Sequence, residues 1–131
     1  MSTDINKASI WEDTGCVIMA RVVNYDDTDI VQADLSSIAY SVFNTSLDPT
    51  DAGYTVVDGQ SMTISSVIFD TLQTDNGWSV DTTGYNFKFT FDDDVFTNGN
   101  TTYRVEVTMS QASTPDLKVV YDIYTKPVAA S

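Results

Sequence analysis

The most abundant side chains that could do chemistry in this chain are carboxylates. Seventeen aspartates stand against two glutamates, Glu12 and Glu106. Two runs are dense: Asp26, Asp27 and Asp29, then Asp92, Asp93 and Asp94. Paired carboxylates can serve as acid and base across a glycosidic bond, but their separation cannot be read from sequence and nothing else here marks a sugar cleft. A hard cation such as Ca²⁺ needs about six to eight converging oxygens. Neither run has the spaced ligands and closing glutamate of an EF-hand loop. Both fall where the chain reads as turn, and aspartate suits turns because its short side chain bonds nearby backbone. Solvated turns are the expected role.

The other reactive types are thin. Thirteen serines have no base to activate them, because the chain has no histidine. No G-x-S-x-G turn is present. Zinc would lack its usual Cys and His ligands. No glycine-rich stretch ends in Lys-Ser or Lys-Thr to cradle a phosphate. Cys16 is the single cysteine, so an internal disulfide is excluded. It lies in an apolar run and is expected as a small core residue, not a reactive thiol. These residues point to a protein that is not an enzyme and uses no metal or cofactor.

Binding is the remaining option. Trp11, Trp78, Tyr25, Tyr54 and Tyr124 could line a sugar- or peptide-binding surface. Trp78 and Tyr54 are expected to pack at strand ends. Trp11 and Tyr124 lie in polar, terminal neighbourhoods and are expected to be open. The net charge of −13, with only six basic residues, repels nucleic acid and anionic lipid. It favours a partner with a basic face. No apolar run approaches the ~20 residues of a membrane span. No basic-then-apolar leader opens the chain. Synthesis in a reducing cytosol is the expectation.

Strands must position these groups. Valine outnumbers leucine fifteen to four, and threonine, at eighteen, is the commonest residue. Both fit a pleated, half-buried surface. Cys16, Ile18, Ala20 and Val22 alternate with Val17, Met19, Arg21 and Val23, so 16–23 reads as a strand with two rather apolar faces. Ile30–Leu35 reads as irregular or briefly helical. Ile38, Tyr40 and Val42 mark the next strand. Tyr54–Val57 reads as a short strand closed by an Asp58-Gly59 turn. Met62–Ile64 and Val67–Phe69 form another piece, and 70–81 is ambiguous around an Asp75-Asn76-Gly77 turn. Phe87, Phe89 and Phe91 alternate with polar residues. Tyr103, Val105, Val107 and Met109 then face Leu117, Val119, Tyr121 and Ile123 across a turn at Ser113-Thr114-Pro115, an antiparallel hairpin. About seven such strands imply a sandwich or barrel. Residues 1–15 read as an N-terminal arm or edge strand, 16–126 as the β-sandwich domain and 127–131 as a C-terminal tail. The expected core holds Ile18, Ala20, Val22, Ile38, Tyr40, Val42, Phe87, Phe89, Val105, Val107, Val119 and Tyr121.

The segment Asn98-Gly99-Asn100-Thr101-Thr102-Tyr103-Arg104-Val105-Glu106-Val107 resembles the corner and sixth strand of immunoglobulin-like domains. The resemblance implies that the Tyr103 hydroxyl bonds back to the preceding turn and that Val105 stands at the inward position often held by cysteine. The central tryptophan of antibody domains is missing, with Tyr40 or Val42 in its region. The expected fold is therefore an all-β, immunoglobulin-like antiparallel β-sandwich.

The order Val-Ile-Met-Ala-Arg-Val-Val-Asn at 17–24, Ser-Ser-Ile-Ala-Tyr-Ser-Val-Phe at 36–43, Gly-Tyr-Asn-Phe at 84–87 and Tyr-Arg-Val-Glu at 103–106 is similar to small immunoglobulin-like virion proteins of tailed bacteriophages. That resemblance implies a capsid decoration or cement protein that binds the major capsid protein. Its location would be the virion, assembled in the host cytoplasm. A tail or baseplate accessory module, or a carbohydrate-binding adhesin domain, is the alternative. Candidate partner-binding residues are Ile10, Trp11, Val17, Met19, Val120 and Tyr124. A homotrimer is expected, because shells present threefold positions and closed symmetry hides edge strands.

Overall fold

The computed structural model describes residues 5–24, 26–74, 83–112 and 114–128. Tyr25, Trp78, the Asp75-Asn76-Gly77 turn and Ser113 lie outside the described residues. Eight strands form among the described residues: β1 (Ile5–Trp11), β2 (Cys16–Ala20), β3 (Ser37–Asn44), β4 (Thr55–Ser61), β5 (Ile68–Gln73), β6 (Tyr85–Phe91), β7 (Thr101–Ser110) and β8 (Leu117–Lys126). A 3-10 turn at Gln32–Asp34 precedes β3, and one helical turn, α1 (Ile64–Val67), precedes β5.

The strands make two sheets, one ordered β1-β8-β7-β3-β4 and one ordered β2-β6-β5. Strands two, five and six on one side and three, four, seven and eight on the other follow the variable-type immunoglobulin order. The protein is an immunoglobulin-like β-sandwich. Among the described residues all strand pairings are antiparallel except β1 with β8, which is parallel. That exception has a topological cause. The chain leaves β1 for the opposite sheet, and β8 arrives only after six further strands, which supply the long connection a parallel pair needs. Among the described residues the eight strands include β1, the edge-strand option for the N-terminal segment, beside the roughly seven expected for the sandwich.

Two local readings change in three dimensions. Asp58-Gly59 does not close a strand. It sits inside β4, where Val57 faces Val42 and Gln60 faces Tyr40, so two residues oppose Ser41 alone. Gly59 takes φ +61 and donates its N–H to Ser41 Oγ at 2.9 Å. This is a bulge, which a turn-type dipeptide forms when the partner strand continues past it. The stretch 62–69 is not one strand piece: α1 intervenes before Ile68 pairs with Phe87.

The core follows the alternation of the strands. In β7, positions 101, 103, 105, 107 and 109 are all buried while their neighbours are partly exposed. All twelve expected core residues lie in the core or against it, with Ala20, Tyr40 and Phe89 only partly buried. Loop and turn residues add to it: Ile30, Leu35 and Phe96 are buried. Aromatic rings run edge-on through the centre, Tyr40 to Phe91 at 5.4 Å, Phe91 to Phe96 at 5.2 Å and Phe96 to Tyr103 at 5.2 Å between centroids. The Tyr103 hydroxyl accepts the backbone N–H of Asn98 at 3.1 Å, the corner bond that the immunoglobulin resemblance implies.

Candidate binding surface

The aspartates build turns. Asp26 Oδ1 accepts both the hydroxyl of Thr28, at 2.6 Å, and its N–H, at 3.3 Å. Asp48 Oδ1 does the same for Thr50, at 2.8 Å and 3.0 Å. These bonds stabilise the ionised form, so both carboxyls are held below the usual aspartate range. Asp34 accepts the Val31 N–H, and Asp70 accepts the Gln32 N–H at 2.7 Å. Asp92, Asp93 and Asp94 are exposed between β6 and β7. Burial raises the pKa of the Tyr40 hydroxyl, and the charges of Asp92 and Asp94 add to it. Among the described residues, no three or more His, Cys, Asp or Glu side chains converge as a metal would require. Cys16 is buried, and that burial pushes its thiol up to about 11.

The six candidate contact residues do not share one surface. Strand alternation separates them. On β1, Ala8 and Ile10 pack against the core. Ser9 and Trp11 point outward, and Trp11 is 52% exposed. On β8, Tyr121, Ile123 and Thr125 are buried while Val120 and Tyr124 lie on the other face. Trp11, Val120 and Tyr124 therefore belong to the outer face of the five-stranded sheet, Ile10 to its inner face. Val17, 47% exposed, and Met19 sit on β2 in the opposite sheet.

The outer face of β1, β8 and β7 is mixed in character. Lys126 Nζ stands 4.4 Å from the Trp11 ring centroid, a cation–π contact between register partners. Tyr124 donates its hydroxyl to Asn100 Oδ1 at 2.8 Å. A shallow groove of about 480 Å³ is lined by Ala8, Ser9, Thr102, Asp122 and Tyr124. Arg104 clamps Asp122 through two bonds, Nε to Oδ1 at 2.9 Å and Nη2 to Oδ2 at 3.1 Å. Sequence reasoning misses this pair. Its only signal is the hairpin register, which sets Arg104 directly opposite Asp122. A second groove of about 730 Å³ lies between the start of β3, the end of β4 and α1, lined by hydroxyl side chains over Ile38, Met62 and Ile64.

No protein-family model matches this chain. No curated protein matches it either. Among solved structures, a chain described as "Tim-1" aligns over 99% of this chain and 99% of its own length, at 10% identity and a TM-score of 0.42. A likeness at that level carries no argument; the fold assignment stands on strand order and the Tyr103 corner.

Proposed function

We propose that this chain is a non-enzymatic virion structural protein of a tailed bacteriophage, a capsid decoration or cement protein that binds the assembled head. The bacteriophage assignment draws on the sequence resemblance. The structural observation that supports a docking role is the outer face of β1 and β8, where Trp11 and Tyr124 are exposed beside an open sheet edge. Exposed aromatics with one apolar body and one polar tip are suited to contact surfaces. The acidic chain suits a basic patch on its partner, the major capsid protein. A homotrimer around a threefold position of the shell is the docked arrangement in this reading. A protein that binds only the assembled shell stabilises that shell by mass action.

The test is reconstitution. Purified protein is added to assembled heads that lack it and to unassembled capsid subunits. Saturable binding to heads alone, with a higher melting temperature of the shell, is the expected result. Electron cryomicroscopy then locates the density. Density confined to tail or baseplate would replace this reading with the tail alternative, and no binding to either would overturn it. The adhesin alternative depends on a free aromatic face for a sugar ring; Lys126 lies over one face of Trp11.

A further inference from the structure

We infer that β1 is a self-pairing edge, through which the free protein associates with a second copy of itself, β1 antiparallel to β1 across a two-fold axis. Among the described residues the sandwich has four edge strands, β1, β4, β2 and β5. An unprotected edge offers a row of backbone donors and acceptors to another chain, and proteins blunt such edges with bulges, charges or covering groups. Three of the four are blunted. β4 carries the Asp58-Gly59 bulge and the Asp58 charge. β5 pairs with β6 only at Ile68 and Gln73, with an irregular stretch and Asp70 between them. On β2, the Met19 carbonyl is taken by the Tyr121 hydroxyl from the other sheet.

Among the described residues β1 carries one charge, Lys7, but no bulge. It pairs with β8 without a register break over all seven residues from Ile5 to Trp11. Its sequence, Ile-Asn-Lys-Ala-Ser-Ile-Trp, contains no proline, glycine or carboxylate. Charge permits like-with-like contact at this edge, as it does at the shorter β2, which also has no carboxylate. Two copies each carrying −13 repel, yet here no carboxylate of one strand would stand opposite a carboxylate of the other. The strand also allows a two-fold register that matches its apolar ends. Centring the pair on Ala8 sets Ile5 opposite Trp11, Asn6 opposite Ile10 and Lys7 opposite Ser9. Ala8 and Ser9, at the middle, are small enough for close approach. Trp11, 52% exposed in one copy, would gain an apolar register partner from the other. The pair has isologous two-fold symmetry. It concerns the free protein and is independent of any shell.

Sedimentation and hydrogen exchange test this together. The expected result is a dimer that tightens as salt screens the like charges. Amides of residues 5–11 should gain protection as protein concentration rises, while those of 55–61 in β4 should not. Ser9→Lys sets two lysines at directly opposed register positions, twice over by symmetry, and should weaken the dimer roughly tenfold. An unchanged circular dichroism spectrum shows that this variant still folds. A protein that stays monomeric at every salt concentration overturns the inference. So does a dimer that Ser9→Lys leaves intact, or one whose β1 amides gain no protection.

Discussion

Asn86 holds Val22 by both of its backbone groups. Its Oδ1 accepts the Val22 N–H at 2.7 Å and its Nδ2 donates to the Val22 carbonyl at 2.9 Å. The same Nδ2 donates to the Ile30 carbonyl at 3.0 Å. Asn86 is 1% exposed, so no water replaces these bonds. The side chain extends the β2–β6 pairing beyond Ala20 and ties in the segment that leads to β3. In Asn86→Ala the Val22 carbonyl would keep the Ile30 N–H, at 3.1 Å, while the Val22 N–H and the Ile30 carbonyl would lose their side-chain partner. Each buried group left unpaired costs about 1–3 kcal/mol. The expected loss is about 3 kcal/mol, read as a lower urea midpoint with an unchanged slope.

The corner bond should be worth less. Tyr103→Phe removes the hydroxyl that accepts the Asn98 N–H but keeps the ring against Phe96. Asn98 lies at an exposed turn, where water can replace the lost partner. The expected cost is about 1 kcal/mol. Urea unfolding checks it, and a loss well above that range would show that the corner carries more than one hydrogen bond.

Alkaline stability should depend on Cys16. Burial lifts its folded pKa to about 11 from an ordinary value of 9.0, so the folded state prefers the protonated thiol. The stability this gives is fully present below pH 9 and is lost as the pH rises through 11. Cys16→Ala should flatten that part of the profile. A residual slope should remain from Tyr121, whose hydroxyl is raised well above its ordinary range by burial. At neutral pH the native thiol should resist alkylation until the protein unfolds.

Acid titration gives the opposite sign. Asp26 and Asp48 are held below the ordinary carboxylate range, first by the bonds from Thr28 and Thr50 respectively. Their contribution is present above the ordinary aspartate pKa and is lost as the pH falls through the lowered values. Thr28→Val removes the hydroxyl bond but keeps the N–H bond, so it should move the Asp26 titration part of the way back towards its usual range in a ¹³C-detected NMR experiment and leave Asp48 unmoved. Both carboxyls are fully exposed, so global stability should hardly change.

The sandwich core should not tolerate charge. Val107 is fully buried in the middle of β7. Val107→Asp places an unpaired carboxylate there, and the variant should be unfolded at neutral pH by circular dichroism.

Strand alternation makes much of this fold legible in the amino-acid order alone. The hairpin of β7 and β8 and the inward sets Val105, Val107, Val119 and Tyr121 follow from a period of two, which is a local property of the chain. So do the turn roles of Asp26 and Asp48, whose partners lie two residues away. The candidate surface is legible residue by residue and not as a surface. Trp11 and Tyr124 do stand out of the core, but alternation alone does not say that Val17 and Met19 belong to a different sheet. That depends on which strands pair, and pairing joins residues far apart in sequence, as Asn86 joins Val22 and Tyr121 joins Met19. The bulge at Gly59 has the same origin. Asp58-Gly59 is a turn signal to its own neighbours, and only the continuing strand β3 beside it converts it into a bulge. The strands, their inward faces and the Asp-rich turns are written in the chain because interactions within a few residues set them. The parallel pairing of β1 and its place at the sheet edge arise only in the assembled sandwich, because each is set by which distant segment comes to lie alongside.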